Sequence, residues 1–135
     1  MADAVATRTI LDGERKYIID IHNTSDGNGE AGVTKVDVSA LANSQNGDAC
    51  AQVRVQRITG STHGMAVELL WDADTNITAW SIPQDRADID LDFRATGGLK
   101  NPETTNFTGD LLLTTLGHTN LDRYSLRLEC TKEYA

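Results

Sequence analysis

Residues 64–81 read GMAVELLWDADTNITAWS, and their pattern decides the fold class. Met65, Val67, Leu69 and Trp71 recur at every second position, so an extended chain puts them on one face. Asp72-Ala73-Asp74-Thr75-Asn76 is polar and turn-forming, and Ile77 and Ala79 then lead away in a second extended run. Alternation, an Asp/Asn turn and a further β-prone run predict a β-hairpin with Trp71 in the core.

The same period of two recurs along the chain. Residues 5–12 are β-prone and end at Asp12-Gly13, a turn dipeptide. Tyr17, Ile19 and Ile21 share one face of the next run. Val33 to Val38 forms a short strand, and one helical turn is expected at Ser39-Ala40-Leu41-Ala42, capped by Asp37 or Ser39. In CAQVRVQRIT (50–59), Ala51, Val53 and Val55 face one way, and Ile58 breaks phase, which predicts a bulge. Gly60 to Gly64 reads as a compact link. Pro83 stops pairing because it has no N–H to donate. Ile89, Leu91 and Phe93 alternate with aspartates, Leu111 and Leu113 point inward, and Tyr124, Leu126, Leu128 and Cys130 close the pattern. The expectation is an all-β, antiparallel β-sandwich or jelly-roll-like domain of about eight strands spanning 1–135, with an extended N-terminal arm at 1–8.

The 135 residues are 39% hydrophobic and 24% charged, which suits one globular core without a stabilising metal. Twenty acidic residues against twelve basic ones give a net charge of −8. With no basic stripe, nucleic acid and anionic membranes are not expected as partners. No apolar run reaches the roughly 18 residues of a membrane span, and MADAVATRTILDGERK has no signal-peptide core, so folding in the cytoplasm is the default. Cys50 and Cys130 read as buried thiols in that compartment, with a disulfide between them as the alternative.

Candidate chemistry is sparse. Asp72, Asp74 and Asn76 resemble half a calcium loop, but Ile77 replaces the required glycine and Pro83 the bidentate glutamate. His22, His63 and His118 lack ligand spacing, and no metal or cofactor is expected. Asp88, Asp90 and Asp92 read as a solvent face that protects an edge. Neither a nucleophile elbow nor a phosphate-cradling loop is present, so no catalytic residue is assigned and the chain is not read as an enzyme. Trp80 could sit in the core, at an interface or on a sugar-binding platform. The irregular stretch 95–108 is long enough to suggest a functional loop.

Four stretches in order carry a resemblance: Leu11-Asp12-Gly13-Glu14-Arg15, Leu70-Trp71-Asp72-Ala73, Gly97-Gly98-Leu99-Lys100-Asn101, and Thr108-Gly109-Asp110-Leu111-Leu112-Leu113-Thr114-Thr115. Together they resemble small virion structural proteins of tailed bacteriophages. The resemblance implies a non-enzymatic part of the particle, and specifically a decoration (cement) protein on the outer capsid surface. Its implied partners are the major capsid protein and further copies of itself, as a trimer. Contacts are then expected from the N-terminal arm and from Trp80, Leu99, Asn101, Pro102 and Phe107. The alternatives are another virion component, in the tail or at the head–tail junction, and a carbohydrate-binding β-sandwich module.

Overall fold

The computed structural model describes residues 4–27, 29–73, 75–102, 107–117 and 119–134, with the backbone alone for Ala4, Phe107 and Asn120. Nine strands occur among them: β1 (Ala4–Asp12), β2 (Lys16–Asp26), β3 (Val33–Val36), β4 (Cys50–His63), β5 (Ala66–Ala73), β6 (Ile77–Ile82), β7 (Ile89–Asp92), β8 (Phe107–Leu116) and β9 (Asn120–Tyr134). They form two sheets, ordered β1-β2-β9-β4-β7 and β3-β8-β5-β6, and the paired strands run antiparallel. The β-sandwich expected from alternation is therefore present, with nine strands where about eight were expected.

The core fills the space between the sheets. Tyr17, Ile19, Ile21, Val53, Val55, Ile58, Tyr124, Leu126 and Leu128 come from the five-stranded sheet. Met65, Val67, Leu69, Trp71, Leu111 and Leu113 come from the four-stranded side. Met65, Val67 and Leu69 are fully buried and Trp71 is 2% exposed, as their spacing requires. The phase break at Ile58 is a register shift between Val55 and Arg57 against β9, so one extra residue returns Ile58 to the inner face. The helical turn expected at 39–42 is a shorter 3₁₀ turn at Val38–Ala40, where the Asp37 carboxylate accepts the Ser39 amide at 3.0 Å.

Two expectations need correction. Gly60 to His63 is no link, because β4 runs straight through it and pairs with β9 as far as Arg123. A Cβ at residue 60 would lie 1.9 Å from the Ser125 carbonyl oxygen, so glycine here permits close strand approach instead of ending the strand. Residues 4–8 are not a free arm either, since they pair with β2 as part of β1.

The sheets differ in width. At one side Trp80 of β6 meets Phe93, just after β7, with ring centroids 4.9 Å apart at 64°, and this contact closes the gap between the two edge strands. At the other side β3 covers β2 and β9 through Lys35 and Glu30, described below. β1 lies beyond that cover, and residues 5–12 are all exposed, including Val5, Ile10 and Leu11.

Candidate functional site

The four stretches singled out in the sequence sit at the joints of the sandwich. In the first, Asp12 accepts the Ala42 amide at 3.1 and 3.2 Å and pairs with the Lys132 ammonium, whose side chain is wholly buried. Lys132 also donates to the Ala42 carbonyl at 3.1 Å. Glu14 accepts the Gln45 amide at 3.2 Å, and its carbonyl accepts the Tyr134 hydroxyl. This hairpin turn thus fastens the 41–48 loop to β9.

In the second stretch Trp71 fills the core, while Asp72 accepts the Thr108 hydroxyl at 2.6 Å. That bond joins it to the fourth stretch, where the Asp110 carboxylate accepts the Val38 amide at 3.0 Å. Burial raises the Asp110 pKa above its ordinary value, and the Val38 bond opposes that shift. Gly109 has φ +85°, and a Cβ there would stand 2.0 Å from the Ala51 carbonyl oxygen, so β8 can cross β4 only with glycine at this point.

The third stretch docks on β4. The Leu99 amide donates to the Val55 carbonyl at 2.8 Å, and the Val55 amide donates back to Leu99 at 3.0 Å. Leu99 is partly buried against the core, and Asn101 is 2% exposed. Asn101 as a contact residue is therefore corrected: it is enclosed by its own domain. Among the other expected contacts, Pro102 is exposed and Trp80 is 38% exposed at the sandwich rim. The side chain of Phe107, like residues 1–3 and 103–106, lies outside the described residues.

The outer face of the five-stranded sheet carries paired charges. Arg57 donates twice to Asp90 at 2.9 Å, Arg94 donates to Asp92 at 2.9 and 2.6 Å, and Arg127 donates to Asp20 at 2.6 and 2.9 Å. In each pair the hydrogen-bonded guanidinium holds the carboxylate pKa below its ordinary value. These aspartates are thus neutralised across the face, not arranged as a row of free anions. A groove of about 230 Å³ runs between Lys16, Ile18, Arg57, Arg94 and Glu129.

Nearby, His22 Nδ1 and the Ser125 hydroxyl lie 3.0 Å apart. Nucleophilic catalysis needs a histidine oriented by a third group and donors for a developing oxyanion. Asp20, two residues before His22 on the same strand, is instead engaged by Arg127. Among the described residues no group of three or more His, Cys, Asp or Glu side chains is placed to hold a metal.

Sequence reading missed a buried polar cluster. Glu30 lies in the loop before β3 and pairs with Lys35, with side chains 5% and 2% exposed. The same carboxylate accepts from the Asn23 amide at 2.6 Å and from the Tyr124 hydroxyl at 2.5 Å. The Glu30 amide donates to Thr115 Oγ1 at 2.9 Å. The cluster ties β2, β9, β3 and β8 together at one side of the sandwich. A lysine in an alternating run and a glutamate in a glycine-rich loop both look solvated in sequence. Cys50 and Cys130 are free and buried. Burial pushes both thiols up, Cys130 to about 12.

No family model and no curated protein matches the chain. Among solved structures, a mutant of a family 29 carbohydrate-binding module is similar over 95% of this chain and 91% of that one, with a TM-score of 0.41 and 9% identity.

Proposed function

We propose that this chain is a non-catalytic structural component of a tailed-bacteriophage particle, a head decoration protein that binds the outer capsid surface and bridges neighbouring major capsid subunits. The observation that carries the reading is the placement of the four resembling stretches. Asp12, Trp71, Asp72, Leu99, Gly109 and Asp110 all hold strands and loops together. A resemblance concentrated at such joints is one of architecture, as suits a protein whose task is to present surface. The net charge of −8 also suits an outer layer better than one packed against DNA. Bridging subunits would stabilise the shell by burying area across their joints.

The test is to add the purified chain to capsids stripped of decoration and image them. Ordered density on the outer lattice, in hundreds of copies, is the expected result. Location in the tail, or about a dozen copies at the portal, would transfer the chain to the alternative virion role.

A second reading, a carbohydrate-binding module, rests on the Trp80–Phe93 pair at the sandwich rim, where Trp80 keeps 38% of its surface exposed. An aromatic ring at a rim can stack on a sugar. Titration calorimetry against a glycan panel decides it. Binding lost on Trp80→Ala supports this reading, and no heat at millimolar sugar removes it.

A further inference from the structure

We propose that the outer face of the five-stranded sheet is the surface that docks on the capsid, and that it meets a net-acidic protein surface there. This assignment rests on the decoration reading and names the side of the sandwich that makes the contact. Even-numbered side chains of β2 and odd-numbered ones of β9 turn away from the core. Arg57 and Arg127 stand on that face with Asp90 and Asp20, and Arg94 pairs onto it through Asp92. Arg54 pairs with Glu133 further along β9, and the Lys100 ammonium lies 4.0 Å from the same carboxylate. Arg8, Lys16 and Arg123 are exposed in the same register and make no ion pair among the described residues.

Eight of the twelve basic residues thus turn to one side, against six of the twenty acidic ones: Asp20, Asp26, Asp90, Asp92, Glu129 and Glu133. The face is net +2 in a molecule of net −8, and the remaining four basic and fourteen acidic residues carry −10. Composition hides this division, because the cations are spread from residue 8 to residue 127 and only strand pairing gathers them.

Charge selects the occupant. An acidic partner is steered to the one side that does not repel it. A polyanion such as nucleic acid fits badly, because the carboxylates spread over the same face would meet its phosphates. A second copy fits badly too, since two molecules of net −8 repel. A protein surface that carries both signs with an acidic excess can match the cations and also donate to Glu129, which lines the groove beside Lys16, Arg57 and Arg94 and makes no ion pair among the described residues. The residue types agree, for six of the eight cations are arginines, the basic residue that interfaces favour over lysine. Two-point bonds to Asp90, Asp92 and Asp20 already hold Arg57, Arg94 and Arg127, so their remaining N–H groups are presented with little side-chain freedom left to lose on docking. Size agrees as well. Five strands make a face about 24 Å across and about 30 Å long, roughly 700 Å², close to the roughly 800 Å² that each partner gives to a standard interface.

Lysine footprinting on stripped capsids tests the assignment. Of the four lysines, Lys35 and Lys132 are buried, and the two exposed ones, Lys16 and Lys100, both belong to this face. Acetylation by an activated ester, read by mass spectrometry, should mark both in the free chain and be slowed at least about tenfold at both in the capsid-bound chain, where the interface excludes water. Cosedimentation with the same capsids adds a second readout. Lys16→Gln with Arg123→Gln removes two exposed positive charges and should weaken binding at least about tenfold and flatten its salt dependence, with unchanged circular dichroism. Thr34→Glu with Thr78→Glu makes the same change in net charge on exposed positions of the other sheet, opposite Leu112 and Leu70, and should bind like the wild type. If the wild-type chain does not bind capsids, the decoration reading falls and this assignment with it. If it binds while Lys16 and Lys100 stay reactive, or if both charge variants weaken alike, the docking face is wrong and the decoration reading stands. Retention of the wild-type chain on double-stranded DNA at the same salt would overturn the acidic protein as occupant.

Discussion

Replacing Glu30 by glutamine probes the buried cluster most directly. The substitution conserves shape, and the remaining carbonyl oxygen can still accept from Asn23 and Tyr124. What it removes is the negative charge facing Lys35, whose side chain is 2% exposed. The new amide also presents N–H groups towards an ammonium that has only donors. Losing one partner of a buried ion pair costs about 3–5 kcal/mol, because the other charge is left uncompensated away from water. With a urea m-value of about 2 kcal/mol/M, a loss of about 4 kcal/mol lowers the midpoint by about 2 M. Adding Lys35→Met to Glu30→Gln removes the stranded charge and should recover at least half of the loss, since buried pairs exchanged for neutral groups often cost little. Urea unfolding followed by fluorescence and circular dichroism measures the wild type, both single variants and the double variant. A Glu30→Gln loss below about 1 kcal/mol would refute the reasoning. So would a double variant no more stable than Glu30→Gln, because the cost would then come from the Asn23 and Tyr124 bonds and not from the charge.

Three further outcomes follow from other parts of the fold. Trp71→Ala should cost about 3–5 kcal/mol in the same urea experiment, and a stable, soluble variant would place that ring outside the core. Neither thiol should react with a neutral-pH disulfide reagent until the protein unfolds, because both are buried and burial raises their pKa values; rapid labelling of the native protein would contradict the assigned burial. Asp110 has a folded pKa above its ordinary 3.8, so its carboxyl favours folding below that value and loses this advantage as pH rises through the folded pKa. Asp110→Asn should therefore gain in relative stability from pH 3.5 to pH 7 while keeping an acceptor for Val38, and urea midpoints at the two pH values check the sign.

Much of the sandwich is legible in the sequence because its signals are local. Met65, Val67, Leu69 and Trp71 needed only their spacing, and Ile58 announced its bulge by falling out of phase. The failures are at positions whose meaning depends on a distant neighbour. Gly60 looks like a turn residue until the Ser125 carbonyl is known to lie against it. Lys35 and Glu30 look solvated until they are folded onto each other beneath Tyr124. Asn101 looked exposed because its stretch is irregular, yet the Leu99–Val55 bonds draw it onto β4. For the candidate site, alternation placed Trp71 inward but left Trp80 undecided, since a rim position depends on Phe93 across the sandwich. The exposure of β1 also escaped the sequence, because a strand covered on one face and a strand beyond the cover share the same β-prone composition.

The order of strands has a consequence for biosynthesis. β9, the last strand in the chain, is the middle member of the five-stranded sheet, and the Asp12–Lys132 clasp joins residues 120 positions apart. On a ribosome adding roughly 5–20 residues per second, β1 and β2 emerge at least about 5 s before β9, against which β2 pairs. Until then they hold only each other, and an isolated hairpin is marginal in water. This sheet therefore closes only after β9 has left the exit tunnel, and its contacts between distant positions place its folding in the slow, millisecond-to-second range of β proteins.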